Sequence, residues 1–242
     1  MNYRQRLYEG YVSHNKKFLN EAMSAGQSER NLANLRRAFC RWLKDVPRDG
    51  AVLDVGCGSG AVLTFLKKEG FTRLHGIELS QEQVALAQER FSEVVCADAL
   101  EYLPHHKNQF ALICAFDLLE HFTKNEAFDF LEAARDALVA GGRLLLQLPN
   151  GDSPFVGSIA FGDMTHETTY TAVSLRHLLL TCGFEHIQFQ EHGPQSTSLW
   201  GCVRWALWQM IRQVLKCVHR VETGGVSTGI YTRVMRVTAT RK

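Results

Sequence analysis

From Gly50 onward the chain alternates short apolar runs with longer amphipathic stretches, and that alternation admits few folds. It is the pattern of a parallel sheet whose strands are joined by helices lying on its two faces. Strands are predicted at AVLDVG, RLHGIE, VVCAD, FALICAFD and RLLLQLP, with helices beginning near Gly60, Ser80, Ala99 and Lys124. Thr123, three residues before Glu126, announces the last of these as a capping box, and Gly141-Gly142 is expected to end it. After Pro149 the rhythm breaks for NGDSPFVGSIAFGDMTHETTYT. That stretch is too long for an ordinary connection, so an ordered lid is expected over about residues 150–172. The rhythm resumes with a helix from Val173 to Cys182 closed by Gly183, a strand HIQFQEH, a helix from Ser198 to Val218 and a final strand YTRVMRVTAT. Leu32, Leu35, Phe39, Trp42 and Leu43 recur at helical spacing, which makes residues 1–49 a helical cap on a domain of residues 50–242.

Composition narrows the class. With 242 residues, 45% hydrophobic and 21% charged, the chain suits one water-soluble core and excludes disorder, collagen and a small disulfide scaffold. The net charge of +2 lacks the basic excess of a general nucleic-acid binder. Its distribution is uneven. Residues 51–199 hold nine basic and nineteen acidic side chains, whereas residues 200–242 hold eight and one. An anionic polymer would be repelled at the centre of such a chain, so no nucleic-acid partner is expected. Seven cysteines without a Cys-x-x-Cys pair read as reduced, buried thiols of a cytoplasmic protein. The opening MNYRQRLYEGYVSHNKK lacks the apolar core of a signal peptide, and no run is long enough for a membrane span.

The most informative residues are LDVGCGSG, where a strand ends and a helix opens with Gly56, Gly58 and Gly60 in the turn. Bare backbone there lets a ligand approach closely. The same glycines, followed by Ala61, also satisfy the dinucleotide pattern, so the neighbouring acids must decide. Asp54 would repel a pyrophosphate but suits a cationic amino-acid moiety, which favours S-adenosylmethionine over NAD. Glu78 ends the second strand, where a carboxylate can accept both ribose hydroxyls, and Asp98 ends the third, where it can accept from an adenine amino group. The plainer alternative for Glu78 and Asp98 is that each caps the helix it precedes.

LDVGCGSG, GIELS, CADAL and FDLLEHF, in that order, resemble the class I S-adenosylmethionine-dependent methyltransferases across roughly residues 50–150. The resemblance implies a Rossmann-like α/β fold with a seven-stranded sheet, order 3-2-1-4-5-7-6, whose last strand is antiparallel. It implies a cofactor site of Asp54, Gly56, Gly58, Gly60, Glu78, Leu79, Asp98, Ala99, Phe116 and His121. The opening RLYEGYVS, the long loop and the closing LWQMIRQVLKCVHRVETG are similar to methyltransferases found with bacterial polysaccharide-biosynthesis enzymes. That similarity implies O-methylation of a saccharide or lipid-linked glycan intermediate. Enzymes of this fold that methylate amides or base amines usually carry an Asn/Asp-Pro-Pro-aromatic run where this chain has FDLLEH, so an oxygen or carbon nucleophile fits better.

Methyl transfer to an alcohol needs a proton acceptor, and histidine suits that task near neutrality. His166, in DMTHETTY with Asp163, Glu167 and Tyr170 nearby, is the favoured base; His121 in FDLLEHF is the second candidate. The catalytic set is thus His166, His121, Asp163 and Tyr170. The remaining histidines show no ligand spacing, and without His-Glu-x-x-His or Cys-x-x-Cys no built-in metal site is expected. The absence of Gly-x-Ser-x-Gly disfavours a hydrolase. Three other functions compete. One is O-methylation of a quinone-like or other small hydroxyl. Another is nicotinamide-dependent oxidation, which is weakened because no tyrosine has a lysine four residues later. The third is a non-catalytic nucleotide-binding scaffold for glycan-assembling enzymes. In the last helix Val203, Leu207, Met210, Val214 and Val218 oppose Gln209, Arg212, Gln213, Lys216 and Arg220, with Trp200, Trp205 and Trp208 near the start. Such a helix either packs on the sheet as an ordinary crossover or contacts the inner face of a membrane, a glycan-assembly enzyme or a second copy of the chain.

Overall fold

The computed structural model describes residues 25–194, 196 and 198–242; the opening RLYEGYVS and His14 lie outside the described residues. In chain order the elements are α1 (Ala25–Phe39), β1 (Ala51–Val55), α2 (Ala61–Lys68), β2 (Arg73–Glu78), α3 (Gln81–Gln88), β3 (Val94–Cys96) and α4 (Ala99–Tyr102). These are followed by β4 (Phe110–Phe116), α5 (Lys124–Ala137), β5 (Leu138–Pro149), α6 (Gly157–Ala160), α7 (Ala172–Thr181), β6 (Phe184–Glu191), α8 (Leu199–Thr223) and β7 (Val234–Arg241). The strands form one sheet in the order β3-β2-β1-β4-β5-β7-β6, as the resemblance implied. β7 runs antiparallel to both β5 and β6, and the other pairings are parallel.

Period-2 alternation sends successive strand residues into two separate cores. Leu53, Ile113, Leu144 and Leu146 pack with Phe130, Leu131, Leu175 and Leu179 of α5 and α7 on one face. On the other face Val52, Leu112 and Leu145 pack with Phe39 of α1, Leu63 and Leu66 of α2, and Ala87 of α3. Trp42 and Leu43, just past α1, are buried in this second core, so the described part of the predicted cap is continuous with the domain. The Trp42 indole N–H also donates to Gln188 of β6.

Four expectations need correction. Gly141-Gly142 does not stop α5, which already ends at Ala137 after its predicted Thr123–Glu126 capping box. The pair lies within β5, with Gly141 at φ +72°, where the register against β4 jumps from Phe110–Leu138 to Leu112–Arg143. A glycine pair suits a strand irregularity as well as a helix end, because both need left-handed backbone. The final helix runs to Thr223, five residues past Val218, and Gly224 closes it at φ +68°. The lid contains a short helix, α6, that was not predicted. Finally, only Cys57, Cys114 and Cys182 are buried; Cys40, Cys96, Cys202 and Cys217 are exposed.

Residues 150–172, the expected lid, are packed onto the rest of the chain. Asn150 donates from its side-chain amide to the Ile230 and Thr232 carbonyls, and the Ser153 hydroxyl donates to the Tyr231 carbonyl. These bonds clamp the first turn of the segment to the approach of β7. In contrast, α8 does not lay its apolar face on the sheet. Gly201 is its one buried residue, while Val203, Leu207, Met210, Val214 and Val218 are exposed. The helix meets the body through its opposite face instead, where Arg212 pairs with Glu191 of β6. Among the described residues no helix is long and apolar enough to cross a membrane.

Candidate active site

β1, β2, β3, β4 and β5 end along one edge of the sheet, and the groups singled out in the sequence converge there. Gly56, Gly58 and Gly60 have φ of +70°, +51° and +85°, so the spacing reflects three consecutive demands for left-handed backbone. They differ in what lies above them. A Cβ at Gly56 would meet Leu118 and one at Gly60 would meet Phe91, but nothing stands within 4 Å of a Cβ at Gly58. The open space at the turn is therefore centred on Gly58.

Asp54 lies beneath this loop, 1% exposed, and its Oδ2 has no hydrogen-bond partner. Burial first, and then the Glu78 charge, raise its pKa well above the usual carboxylate range. An unpartnered buried carboxyl oxygen costs free energy until a donor reaches it, and a cationic amino group is a suitable donor. Glu78 already works inside the protein: one oxygen accepts from Gly58 N–H at 3.0 Å and the other from Ser80 N–H at 2.9 Å. It braces the glycine turn and does not cap α3, a task done by Ser80. Asp98 does cap α4, accepting from Leu100 N–H, which leaves its second oxygen without a capping role. Leu79 is largely exposed beside Glu78, and Ala99 is buried. Phe116 stacks on Phe39 of α1 at 4.8 Å, so its ring belongs to the wall of the second core.

Beyond β4 the chain turns sharply through Asp117, a non-glycine residue at φ +51°. Such conformations concentrate at functional sites. Asp117 accepts from the Gln147 side-chain amide, and Gln147 in turn accepts from the buried Arg236 guanidinium. The turn delivers Glu120 and His121 on a short 3-10 helix, and residues 165–168 pack against them. Glu167 N–H and Thr168 N–H both donate to the Glu120 carbonyl, and the Thr168 hydroxyl donates to the Phe122 carbonyl. His166 thereby meets His121 edge to face, with ring centroids 4.8 Å apart.

Hydrogen bonding sets the imidazole tautomers. The Thr165 hydroxyl has one proton, given to Asp163 at 2.6 Å; its 2.9 Å contact with His121 Nδ1 must then be one in which the histidine donates. His166 Nδ1 faces the Ala160 carbonyl at 3.3 Å, which can only accept. Each ring is thus held through Nδ1, and the His121 ring also meets the Asp117 backbone. Burial and the neighbouring His166 lower the pKa of His121, which favours the neutral ring. Glu120 is 2% exposed with Oε2 unpartnered; burial and the Asp117 charge push its pKa up to about 8.

Of the four predicted catalytic residues, His121, His166 and Asp163 are thus brought together. Tyr170 is not available in the same way: its ring is buried in the first core and desolvation pushes its pKa up to about 12. Sequence reasoning missed Glu120, Thr165, Asp117, Gln147 and Arg236. Glu120 and Thr165 each lie beside a predicted histidine, which was the one signal available for them. The expectation of no metal-binding group rested on linear motifs. In the fold, ligand atoms of Glu120, His121 and His166 lie within 4.8 Å of one another.

A groove of about 1260 Å³ lies farther along the same edge, between the end of β6, the start of α7 and the polar face of α8. Trp205, Trp208 and Phe189 line it together with Arg176, Lys216 and Arg220. The Trp208 indole N–H is buried there without a hydrogen-bond partner.

Residues 52–142 match the family model described as a methyltransferase domain. A Bacillus subtilis (strain 168) protein named as a candidate methyltransferase, YqeM, is 27% identical over 117 residues. That match covers 46% of this chain and 47% of YqeM, so it spans about half the length of each protein. Among solved structures, a SAM-dependent methyltransferase of Archaeoglobus fulgidus superposes with a TM-score of 0.70 at 21% identity, covering 93% of this chain and 99% of that one. Phosphoethanolamine N-methyltransferase 2 of Haemonchus contortus, solved with S-adenosyl-L-methionine, gives 0.60 at 18% identity, covering 90% of this chain and 54% of that one. The fold is that of S-adenosylmethionine-dependent methyltransferases.

Proposed function

We propose that this chain is an S-adenosylmethionine-dependent O-methyltransferase acting on a saccharide, presented as a lipid-linked or nucleotide-linked intermediate of surface polysaccharide. The observation that carries methyl transfer is the pairing, on one sheet edge, of an open glycine cradle over an orphaned Asp54 oxygen with two neighbouring imidazoles each held through Nδ1. S-adenosylmethionine would supply an activated methyl group on a sulfonium. The protein's task is then to hold two substrates in line, exclude water and let the acceptor hydroxyl lose its proton.

Asp54 Oδ2 suits the cofactor's ammonium, and the lone pairs that Glu78 keeps beyond its two backbone bonds suit the ribose hydroxyls. The exposed side chain of Leu79 offers an apolar surface for the base, and the second oxygen of Asp98 a place for its amino group. The acceptor hydroxyl loses its proton at the cluster of His166, His121 and Glu120, with Thr165 and Asp163 as positioning residues for His121.

The groove supports the acceptor class. Aromatic faces stack on sugar rings, and Arg176, Lys216 and Arg220 suit phosphate oxygens. A second reading, a quinone-like or other apolar hydroxyl compound, draws on Phe161 and Met164, which stand 83% and 78% exposed on the lid. The outward apolar face of α8 suits peripheral contact with the inner face of a membrane, where a lipid-linked acceptor resides.

Titration with S-adenosylhomocysteine beside NAD and NADP tests the cofactor. Labelled-methyl transfer to lipid-linked sugars, nucleotide sugars and quinols then tests the acceptor. Selective binding of the sulfur nucleotide with turnover on a sugar is expected; NAD binding overturns the reading, and cofactor binding without turnover on any acceptor favours the silent scaffold. His166→Ala is expected to lower turnover strongly at nearly unchanged S-adenosylhomocysteine affinity, and an unaltered rate removes His166 from the chemistry.

A further inference from the structure

We infer that Glu120, His121 and His166 form a binding site for a divalent first-row transition cation, zinc(II) or a close relative, at the carboxyl end of β4. The inference deepens the reading of this cluster as the place where the acceptor loses its proton.

Three observations carry it. Ligand atoms of the three side chains lie within 4.8 Å of one another. Ligands about 2.0–2.1 Å from a tetrahedral ion stand roughly 3.3 Å apart, so small rotations of the half-buried imidazoles close the cluster on an ion. Second, each imidazole is tied through Nδ1, His121 to Thr165 and His166 to the Ala160 carbonyl. Metal-binding histidines are characteristically fixed in this way, by an oxygen acceptor on the nitrogen that does not bind the ion. For His121 the support reaches a carboxylate, because Thr165 passes the bond on to Asp163. Third, Glu120 buries an oxygen with no partner at all, and a cation is a partner that repays such burial.

Two nitrogens and one carboxylate select a borderline cation over magnesium or calcium, which prefer all-oxygen shells. Three protein ligands leave a fourth position open, as in catalytic zinc sites. With both imidazoles on the ion, neither would be the proton acceptor; the cation would instead lower the pKa of a hydroxyl that takes the open position, and the released proton would pass to solvent.

The experiment uses the full chain stripped with a chelator, titrated with cobalt(II) and followed by its visible absorption, with zinc(II) as competitor. One equivalent is expected to bind with micromolar affinity or better. His166→Ala should abolish the absorption band, and Thr165→Val, which removes the hydroxyl that links His121 to Asp163, should weaken binding by about ten- to hundredfold. Absence of stoichiometric binding by the unmodified chain overturns the inference, as does binding that His166→Ala leaves unchanged. S-adenosylhomocysteine titration of the same samples separates the outcomes: a chain that binds the nucleotide but no cation fails this inference alone, and one that binds neither fails the methyltransferase reading as well.

Discussion

Replacing Glu120 by glutamine should leave the cation-free protein more stable than the parent by a margin that grows as the pH rises, against the usual expectation for removing a buried group. Glu120 is 2% exposed, and its pKa is pushed up to about 8 by burial, with the Asp117 charge second. In the unfolded chain the same carboxyl has its ordinary value near 4.5. Between those two values the folded chain holds a proton that the unfolded chain has released, so stability falls as pH rises through the window. The slope is about 1.4 kcal/mol per pH unit, which amounts to about 3 kcal/mol lost by pH 7. Glutamine has no proton to lose and so removes the slope, at a cost of about 1 kcal/mol for any amide hydrogen bond it fails to make. Urea unfolding in chelator at pH 5, 6, 7 and 8 reads the effect as a midpoint shift at constant m. The variant should be within about 1 kcal/mol of the parent at pH 5 and about 2–3 kcal/mol ahead by pH 8. A difference that stays flat across this range refutes the buried, protonated Glu120. Saturating zinc(II) should close most of that gap, because an ion bound to the folded parent at a hundred times its Kd adds about 2.7 kcal/mol that the variant forgoes.

Gly58→Ala places a methyl group in open space, so it should cost about 1–2 kcal/mol for the left-handed backbone while lowering S-adenosylhomocysteine affinity in calorimetry; unaltered affinity would move the cofactor away from this turn. Gly76→Ala is the converse. Its methyl would stand 2.9 Å from Cys57 Sγ and 3.0 Å from Val94 Cγ2 in the second core, and thermal unfolding should report about 1–3 kcal/mol of overpacking. Val214→Glu on the outward face of α8 should alter stability by no more than about 0.5 kcal/mol and reduce flotation with anionic vesicles; equal flotation removes this face from any membrane contact.

Much of this protein was legible along the chain, because much of it is set by local rules. Left-handed backbone at Gly56, Gly58 and Gly60 admits glycine and little else, so the turn showed itself as a spacing. Thr123 with Glu126, and Gly183, mark helix ends by hydrogen bonds and dihedrals that reach no farther than a few residues. The strand order came from resemblance to a family, since pairing between distant strands leaves no local mark. Local rules also explain the misreading at Gly141-Gly142: the same conformational freedom serves a helix stop and a strand irregularity, and only the neighbouring β4 register distinguishes them.

What the tertiary structure decided are the relations between segments that meet only when folded. The apolar stripe of α8 was plain from its 3.6-residue period, but periodicity gives the existence of a face and not its direction, and here the polar face turns toward the body. His121 and His166 were each visible as candidates. Their meeting, the tautomers imposed by Thr165 and Ala160, and the orphaned oxygen of Glu120 follow from the lid folding onto the end of β4. Chemistry at this edge depends on lone pairs and desolvation. Both are properties of what surrounds a side chain, so the sequence determined which groups were present and the packing determined what each is able to do.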